Sequence, residues 1–485
     1  MSPHAKNLYR PVPKLPTKQH CQKVCNMILQ SNPSIKNGYI YHRGKSSNEK
    51  DPAVESEHRA DRYLFYLTGV EDPDYHVLIH IHTNQVYLIT PAIADDEEYL
   101  WKCPPENPTQ LLRLYDVDIV LEENDLFTLW HNNNNYNNNV NTPIPPPDII
   151  YTLSTTDFSF IPTKYHTLIN KEDLGSIVDE CRLIKYKWEI QLIRQACYAS
   201  SQAHIALMKN AYPGQPEFEL VALFKWICSR YGLSRQAYLP IVVSGKRTAV
   251  LHETRHNHSL PTDENAMVLV DAGGEKSCYS ADITRCYPVT GKFSLEAKII
   301  YEIVLKIQET VLSHLKPGVM WNDMEMLAIR VLCEELCRIG ILIGDIDELI
   351  ELNIPTTFYY HNLSHAVGLD VHDVGGRKLI YDKESGKEVL SNFLDDRPLE
   401  ANMVITVEPG IYFNSRWIKM WTQCPGYEQF FDLARIQQYS VVGGIRIEDT
   451  VVITDSGYEN LTTVPKSVQD IENLMACRDD NDRVI

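Results

Sequence analysis

The feature that most constrains the fold is a pattern that occurs twice in the second part of the chain. An amphipathic helix is predicted over Lys187–Asn210, stopped by Pro213–Gly214. A second, over Pro216–Tyr231, is stopped by Gly232, and strand-like runs follow. The same order then repeats. A helix from Ser294, with Leu295, Ile299, Ile303, Ile307, Val311 and Leu315 on one stripe, ends at Pro317–Gly318, another runs to Gly340, and strands follow again. An echo of this length predicts two pseudo-symmetric halves, with any ligand site in the crevice between them.

The strand-like runs carry the chemistry. In VLVDAGGEKSCYSADITR a β-branched run ends at Asp271, Gly273–Gly274 offers a turn, and a second run reaches Asp282, which predicts a hairpin. Opposite or nearly opposite in a ladder, the two carboxylates would have Cβ atoms roughly 4.5–5.5 Å apart. Carboxylates that close need a proton or a cation between them. The second half contributes HNLSHAVGLDVHDVGG, NMVITVEPGIYF and GGIRIEDTVVIT, and with them His365, Glu408 and Glu448. Four oxygen donors and one nitrogen donor suffice for two hard or borderline cations, manganese or cobalt rather than a lone structural zinc.

Taken singly, each residue has a plainer role. Asp271 and Asp282 would be turn residues, and Glu408, before Pro409–Gly410, turn chemistry. Alternation in GGIRIEDT would put Arg446 and Glu448 on one strand face as an ordinary ion pair. His361 and His365 have the i,i+4 spacing of a zinc HExxH helix, but Asn362 stands where that motif needs its Glu base. Only the constellation points to catalysis.

These stretches resemble the creatinase and methionine aminopeptidase superfamily of pita-bread metallopeptidases. Within it they are most similar to the proline-specific branch of Xaa-Pro aminopeptidases and Xaa-Pro dipeptidases (prolidases). The resemblance runs from about Cys181 to Met475 and more weakly through the N-terminal part, where FYLTGVEDPD is similar to the aminopeptidase P N-terminal domain. It implies an α/β (α+β) chain: a creatinase-like N-terminal domain over 1–180 and a pita-bread catalytic domain over 181–485. It also implies that Asp271, Asp282, His365, Glu408 and Glu448 hold two divalent metal ions sharing a hydroxide that attacks the carbonyl before proline. Glu408 would shuttle the proton. His372, with His252 behind it, would stabilise the oxyanion, His361 would line the proline pocket, and Arg446 would hold Asp282 or Glu448 in place. Asn362 replaces the Gly of the usual H-G-x-x-H, and Glu253 stands where many relatives have Tyr. His256 and His258 read as a polar loop.

The implied activity is removal of an N-terminal residue from peptides with proline second. GDIDELIELN and ENLTTVPKSVQDIENLM look like aminopeptidase P, and Leu394 stands where prolidases place a carboxylate-gripping Arg. The alternative is a dipeptidase, because LPTKQHCQKV and the insertion between EPGIYF and GGIRIED resemble fungal-type prolidases. A more distant alternative, a non-catalytic pita-bread binding module, would be expected to have lost ligands. A homodimer or homotetramer is the implied assembly, with Trp101 at the position of a Trp that reaches a neighbouring subunit.

The net charge of −18 makes nucleic acid and anionic membranes poor partners. Twelve cysteines without a CxxC pair read as reduced thiols of a cytoplasmic protein. Lys6, Arg10, Lys14 and Lys18, with no acidic residue before Glu49, suggest a mitochondrial presequence as the minor alternative. Pro3, Pro11, Pro13 and Pro16 would interrupt its helix. In the N-terminal domain a helix is expected over Lys18–Leu29, a strand over Gly38–Arg43 and a hairpin about His82–Gln85. His80 and His82 would share a half-buried strand face. The Asn- and Pro-rich stretch 131–148 reads as a disordered surface insertion.

Overall fold

The computed structural model describes residues 14–46, 59–92, 105–126, 145–374, 378–382, 387–391 and 397–477. Trp101, Leu394, the start of the chain and the Asn-rich stretch through residue 144 lie outside them. The chain forms two compact units, within Arg10–Arg182 and Leu183–Ile485. Among the described residues no helix is long and apolar enough to cross a membrane.

The first unit is built on a six-stranded mixed sheet in the order Ile119–Glu122, Gln85–Thr90, His76–His80, Gly38–Arg43, Ile149–Tyr151, Ile169–Asn170. The three central strands are antiparallel and the outer ones join in parallel. The helix Lys18–Ser31 buries His20, Cys21, Val24, Cys25 and Ile28 along one stripe. The hairpin closes at His80 opposite Gln85. His82 therefore falls in the turn rather than on a strand face with His80, whose Nδ1 instead lies 2.8 Å from Thr83 Oγ1.

In the second unit the doubled pattern is physical. Helices Lys187–Asn210 and Glu217–Arg230 are echoed by Leu295–His314 and Trp321–Arg338. Gly214 and Gly318, at the two matching stops, have φ +86° and +87°, a left-handed turn that glycine adopts without penalty. Ser294 caps its helix by accepting from the Ala297 N–H. Only the start of the stripe differs from expectation, for Leu295 is 68% exposed and Ile299 only half-buried. A strict i+4 series drifts about 40° around the helix per step; its later members Ile303, Ile307, Val311 and Leu315 are buried as expected, and Ala297, Ile300, Tyr301, Val304, Gln308 and Leu312 widen the buried face.

Two sheet segments carry the site. Met267–Asp271 pairs antiparallel with Thr284–Pro288, but Asp271 faces Thr284, and Asp282 lies two residues before that partner. Nor does the chain turn at Gly273–Gly274. Gly274–Lys276 and Tyr279–Ser280 make a separate small hairpin with Arg235–Gln236, reversing at Ser277 and Cys278, both at positive φ. Gly273 is needed for close approach, since a Cβ there would sit 1.9 Å from the Ala281 carbonyl oxygen.

In the other half, Val404–Val407 pairs with Asp449–Ile453, and Gly410–Tyr412 with Gly444–Arg446. The register is continuous across the two segments, with Val407 opposite Asp449 and Gly410 opposite Arg446. Glu408 thus falls opposite Glu448 and Pro409 opposite Ile447, where the ladder is interrupted. GGIRIEDTVVIT is therefore two strands broken at Ile447–Glu448, not one alternating strand.

Candidate metal centre

Each carboxylate sits at an end or a break of a ladder, where the backbone no longer pairs and a side chain can turn into the cleft. Asp271 ends its strand. The Glu408 N–H donates to Leu363 O (2.9 Å) and the Glu448 N–H to Thr284 O (3.1 Å), so both backbones are tied to neighbours rather than to each other.

His365 comes from a non-helical segment that runs beside Val404–Val407. Its carbonyl accepts from the Thr406 N–H, and Ala366 bridges Ile405. Ring atom Nδ1 is 3.0 Å from Ala366 O, which can only accept, so Nδ1 carries the proton. Nε2, the ring atom left for a metal, faces Asp282 Oδ2 at 3.3 Å and Glu408 Oε1 at 3.4 Å. This tautomer is the one a metal-ligating imidazole needs.

Ligand atoms of Asp271, Asp282 and Glu448 lie within 4.8 Å of one another, and so do those of His365, Glu408 and Glu448. Glu448 belongs to both groups. Asp282, His365 and His372 form a third such group. Two overlapping triads with a shared carboxylate fit a pair of cations with a bridging ligand. Burial, and then the neighbouring carboxylates, push Asp282, Glu408 and Glu448 well above the usual carboxylate range. Protons or cations must neutralise such a cluster.

The supporting contacts differ from those expected. Arg446 reaches neither Asp282 nor Glu448. Its Nη2 donates to Asp271 Oδ2 (2.5 Å), Nη1 to Tyr412 Oη (3.0 Å) and Nε to Thr284 Oγ1 (3.1 Å). The strand ends at Arg446, and this break turns Glu448 toward Thr284, whose hydroxyl donates to Glu448 Oε2 at 2.6 Å. Three residues escaped the sequence reading: Tyr238, Thr284 and Tyr412. Tyr238 Oη lies 2.6 Å from both Asp271 Oδ1 and Asp282 Oδ1. It stands in RQAYLPI, where no periodicity or spacing singles it out.

A cleft of about 290 Å³ opens on the cluster, lined also by His252, His361, His372 and Arg446. His361 Nδ1 donates to Asn362 O, so its Nε2 accepts from Tyr412 Oη at 2.8 Å. The His372 ring packs 4.3 Å from that of His365. Glu253 is drawn into an ion pair with Arg255 beside it. Leu239, Ile241, Leu251 and Val371 give the cleft an apolar wall.

Fold and cleft together are those of a metal-dependent peptidase. Residues 191–455 match the model of metallopeptidase family M24, and residues 18–140 that of the aminopeptidase P N-terminal domain. The chain belongs to metallopeptidase family M24. It is 37% identical to a "Probable Xaa-Pro aminopeptidase PEPP" of Coccidioides posadasii, an alignment covering 95% of this chain and 97% of that one. It is 35% identical to the "Probable Xaa-Pro aminopeptidase pepP" of Talaromyces stipitatus, over 95% and 97%. Among solved structures it is similar to the aminopeptidase PepP of Pseudomonas aeruginosa (TM-score 0.76, 28% identity, 96% of this chain and 99% of that one). It is also similar to aminopeptidase P of E. coli with the inhibitor Pro-Leu (0.75, 28%, 95% and 98%).

Proposed function

We propose that this protein is an Xaa-Pro aminopeptidase, removing the first residue of peptides whose second residue is proline. The observation that carries the reading is the convergence of Asp271, Asp282, His365, Glu408 and Glu448, remote in sequence, on one cleft with an apolar wall. The near full-length similarity to probable Xaa-Pro aminopeptidases supports the substrate. Those five residues would hold two divalent cations, manganese in our reading, which would supply Lewis acidity and bring the pKa of a water toward neutrality.

The chain's own groups do the rest. Glu408, its carboxyl raised by burial and by Glu448, is suited to take a proton from water and deliver it to the proline nitrogen as that nitrogen leaves. His372 and His252, which both line the cleft, would donate to the oxygen that gains charge at the scissile carbonyl. Arg446 fixes Asp271, and through Tyr412 it steadies His361. An Xaa-Pro bond has no N–H to grip, so the ring is held by contact with the apolar wall and His361.

The test compares Gly-Pro-Ala with Gly-Pro, each with and without added manganese. Release of glycine from the tripeptide is the expected result. Cleavage of the dipeptide alone would make the protein a dipeptidase, and no cleavage of either with any divalent metal would refute the reading.

A further inference from the structure

Behind the two glutamates, on the side away from the cleft, stands Gln308. It is fully buried in the helix Leu295–His314, and its Nε2 donates to two carbonyls at 3.1 Å each, Val407 O and Ile447 O. These are the residues immediately before Glu408 and Glu448. Both amide hydrogens are used on groups that can only accept, and Gln308 Oε1 accepts from Lys466 Nζ at 2.8 Å. The amide can therefore point only one way.

The place it fills is defined by the ladder. Opposite Ile447 stands Pro409, and the Ile447 N–H still donates to Pro409 O at 3.3 Å. In an antiparallel pair that bond is normally returned by the facing N–H. Proline has none, so the carbonyl of Ile447 would be left in a dry interior without its donor. Gln308 supplies one and, by bonding Val407 O with its other hydrogen, ties the two strands together across their gap. Lys466 is itself held by Asp449 Oδ2 (2.9 Å), which also accepts from Asn460 Nδ2 (2.8 Å), while Asp449 Oδ1 accepts from Arg285 Nη2 (2.6 Å).

We infer that Gln308 is a positioning residue of the metal centre: its amide replaces the ladder donor that Pro409 lacks and fixes the separation of Glu408 and Glu448. It touches no substrate and lines no part of the cleft. The inference rests on the reading of those glutamates as metal ligands. It adds that their spacing is set from behind by one side chain that no metal-ligand pattern reveals.

The experiment uses the full chain, stripped of metal by a chelator, as wild type, Gln308→Glu and Gln308→Met. Gln308→Glu keeps size and the Lys466 partner but removes both donors. Gln308→Met removes all three bonds. Each folded protein is titrated with manganese(II), and its unfolding temperature is followed with and without the ion. Both variants are expected to bind manganese about 10–100-fold more weakly, the range for residues that orient metal ligands, with a smaller metal-induced rise in unfolding temperature. Should Gln308→Met fail to fold, Gln308→Glu decides. Dissociation constants within twofold of wild type would overturn the inference, as would equal losses of unfolding temperature in the metal-free and metal-loaded states, since a merely structural role gives that result. A wild type that binds manganese yet cuts no Xaa-Pro peptide would sink the proposed substrate and leave this inference to the titration.

Discussion

Tyr238→Phe isolates one hydroxyl at the metal centre. The ring, a wall of the cleft, stays; what goes is the oxygen 2.6 Å from both Asp271 Oδ1 and Asp282 Oδ1. One phenolic proton cannot be donated to two acceptors at once. The hydroxyl therefore donates to one carboxylate at a time, with Asp271 Oδ1 and Asp282 Oδ1 both within reach of the same proton. With cations bound, the hydroxyl would still orient one carboxylate. A hydrogen bond to a charged group contributes about 1.5–3 kcal/mol. At about 1.4 kcal/mol per factor of ten, manganese should bind the variant roughly ten- to a hundredfold more weakly. The assay is titration of the chelator-treated protein with manganese(II), alongside Gly-Pro-Ala hydrolysis at saturating metal. Affinity within twofold of wild type would show that the cations alone organise Asp271 and Asp282, and the reasoning would fail.

Four further outcomes are expected. Asp282, Glu408 and Glu448, raised in the metal-free fold, contribute stability that is fully present below their unfolded pKa of about 4 and is lost as pH rises through their folded values; cations reverse this, so the manganese-induced rise in unfolding temperature should grow from pH 5.5 to 8, and a flat increment would contradict the assignment. His204, pushed down to about 4 chiefly by burial, contributes stability that is present above its unfolded pKa and lost as pH falls toward 4. That loss is worth about 3 kcal/mol, and urea unfolding of metal-free His204→Gln should show it removed between pH 7 and 4; an unchanged loss counts against the argument. In Gly273→Ala the new methyl must displace the Ala281 carbonyl, so a cost of at least about 3 kcal/mol in thermal unfolding is expected, and a variant within about 1 kcal/mol of wild type would refute the close approach. Lys185 and Asp373 form an ion pair with both side chains 1% exposed, one residue from His372. Lys185→Met should cost about 3–5 kcal/mol and the double variant with Asp373→Leu distinctly less; equal costs would show that the stranded charge is not the cause.

Local order was legible in the sequence because it is set by neighbours a few residues apart. The helix Lys187–Asn210 and the strand Gly38–Arg43 have the bounds that periodicity predicted, since apolar spacing and the Pro-Gly stops act within a turn or two of chain. The doubled pattern was legible for the same reason, down to matching left-handed glycines. Where the reading failed, a partner distant in sequence decided. Asp271 faces Thr284 because the intervening residues leave to pair with Arg235–Gln236. Arg446 serves Asp271 because the strand breaks after it, so alternation no longer governs which side chains share a face.

The sequence by itself supplied the candidate donors, four carboxylates and an imidazole, picked out as a set by the resemblance to the pita-bread metallopeptidases. The tertiary structure alone decided how those donors are held, by Tyr238, Thr284 and Gln308, and that Tyr412 joins Arg446 to His361. A hydroxyl or amide side chain carries no mark in sequence of the acceptor it will meet. Tyr238 and Gln308 acquire their roles only when segments from different parts of the chain come together around them, and at fully buried Gln308 the packing also excludes the water that would otherwise satisfy the same groups.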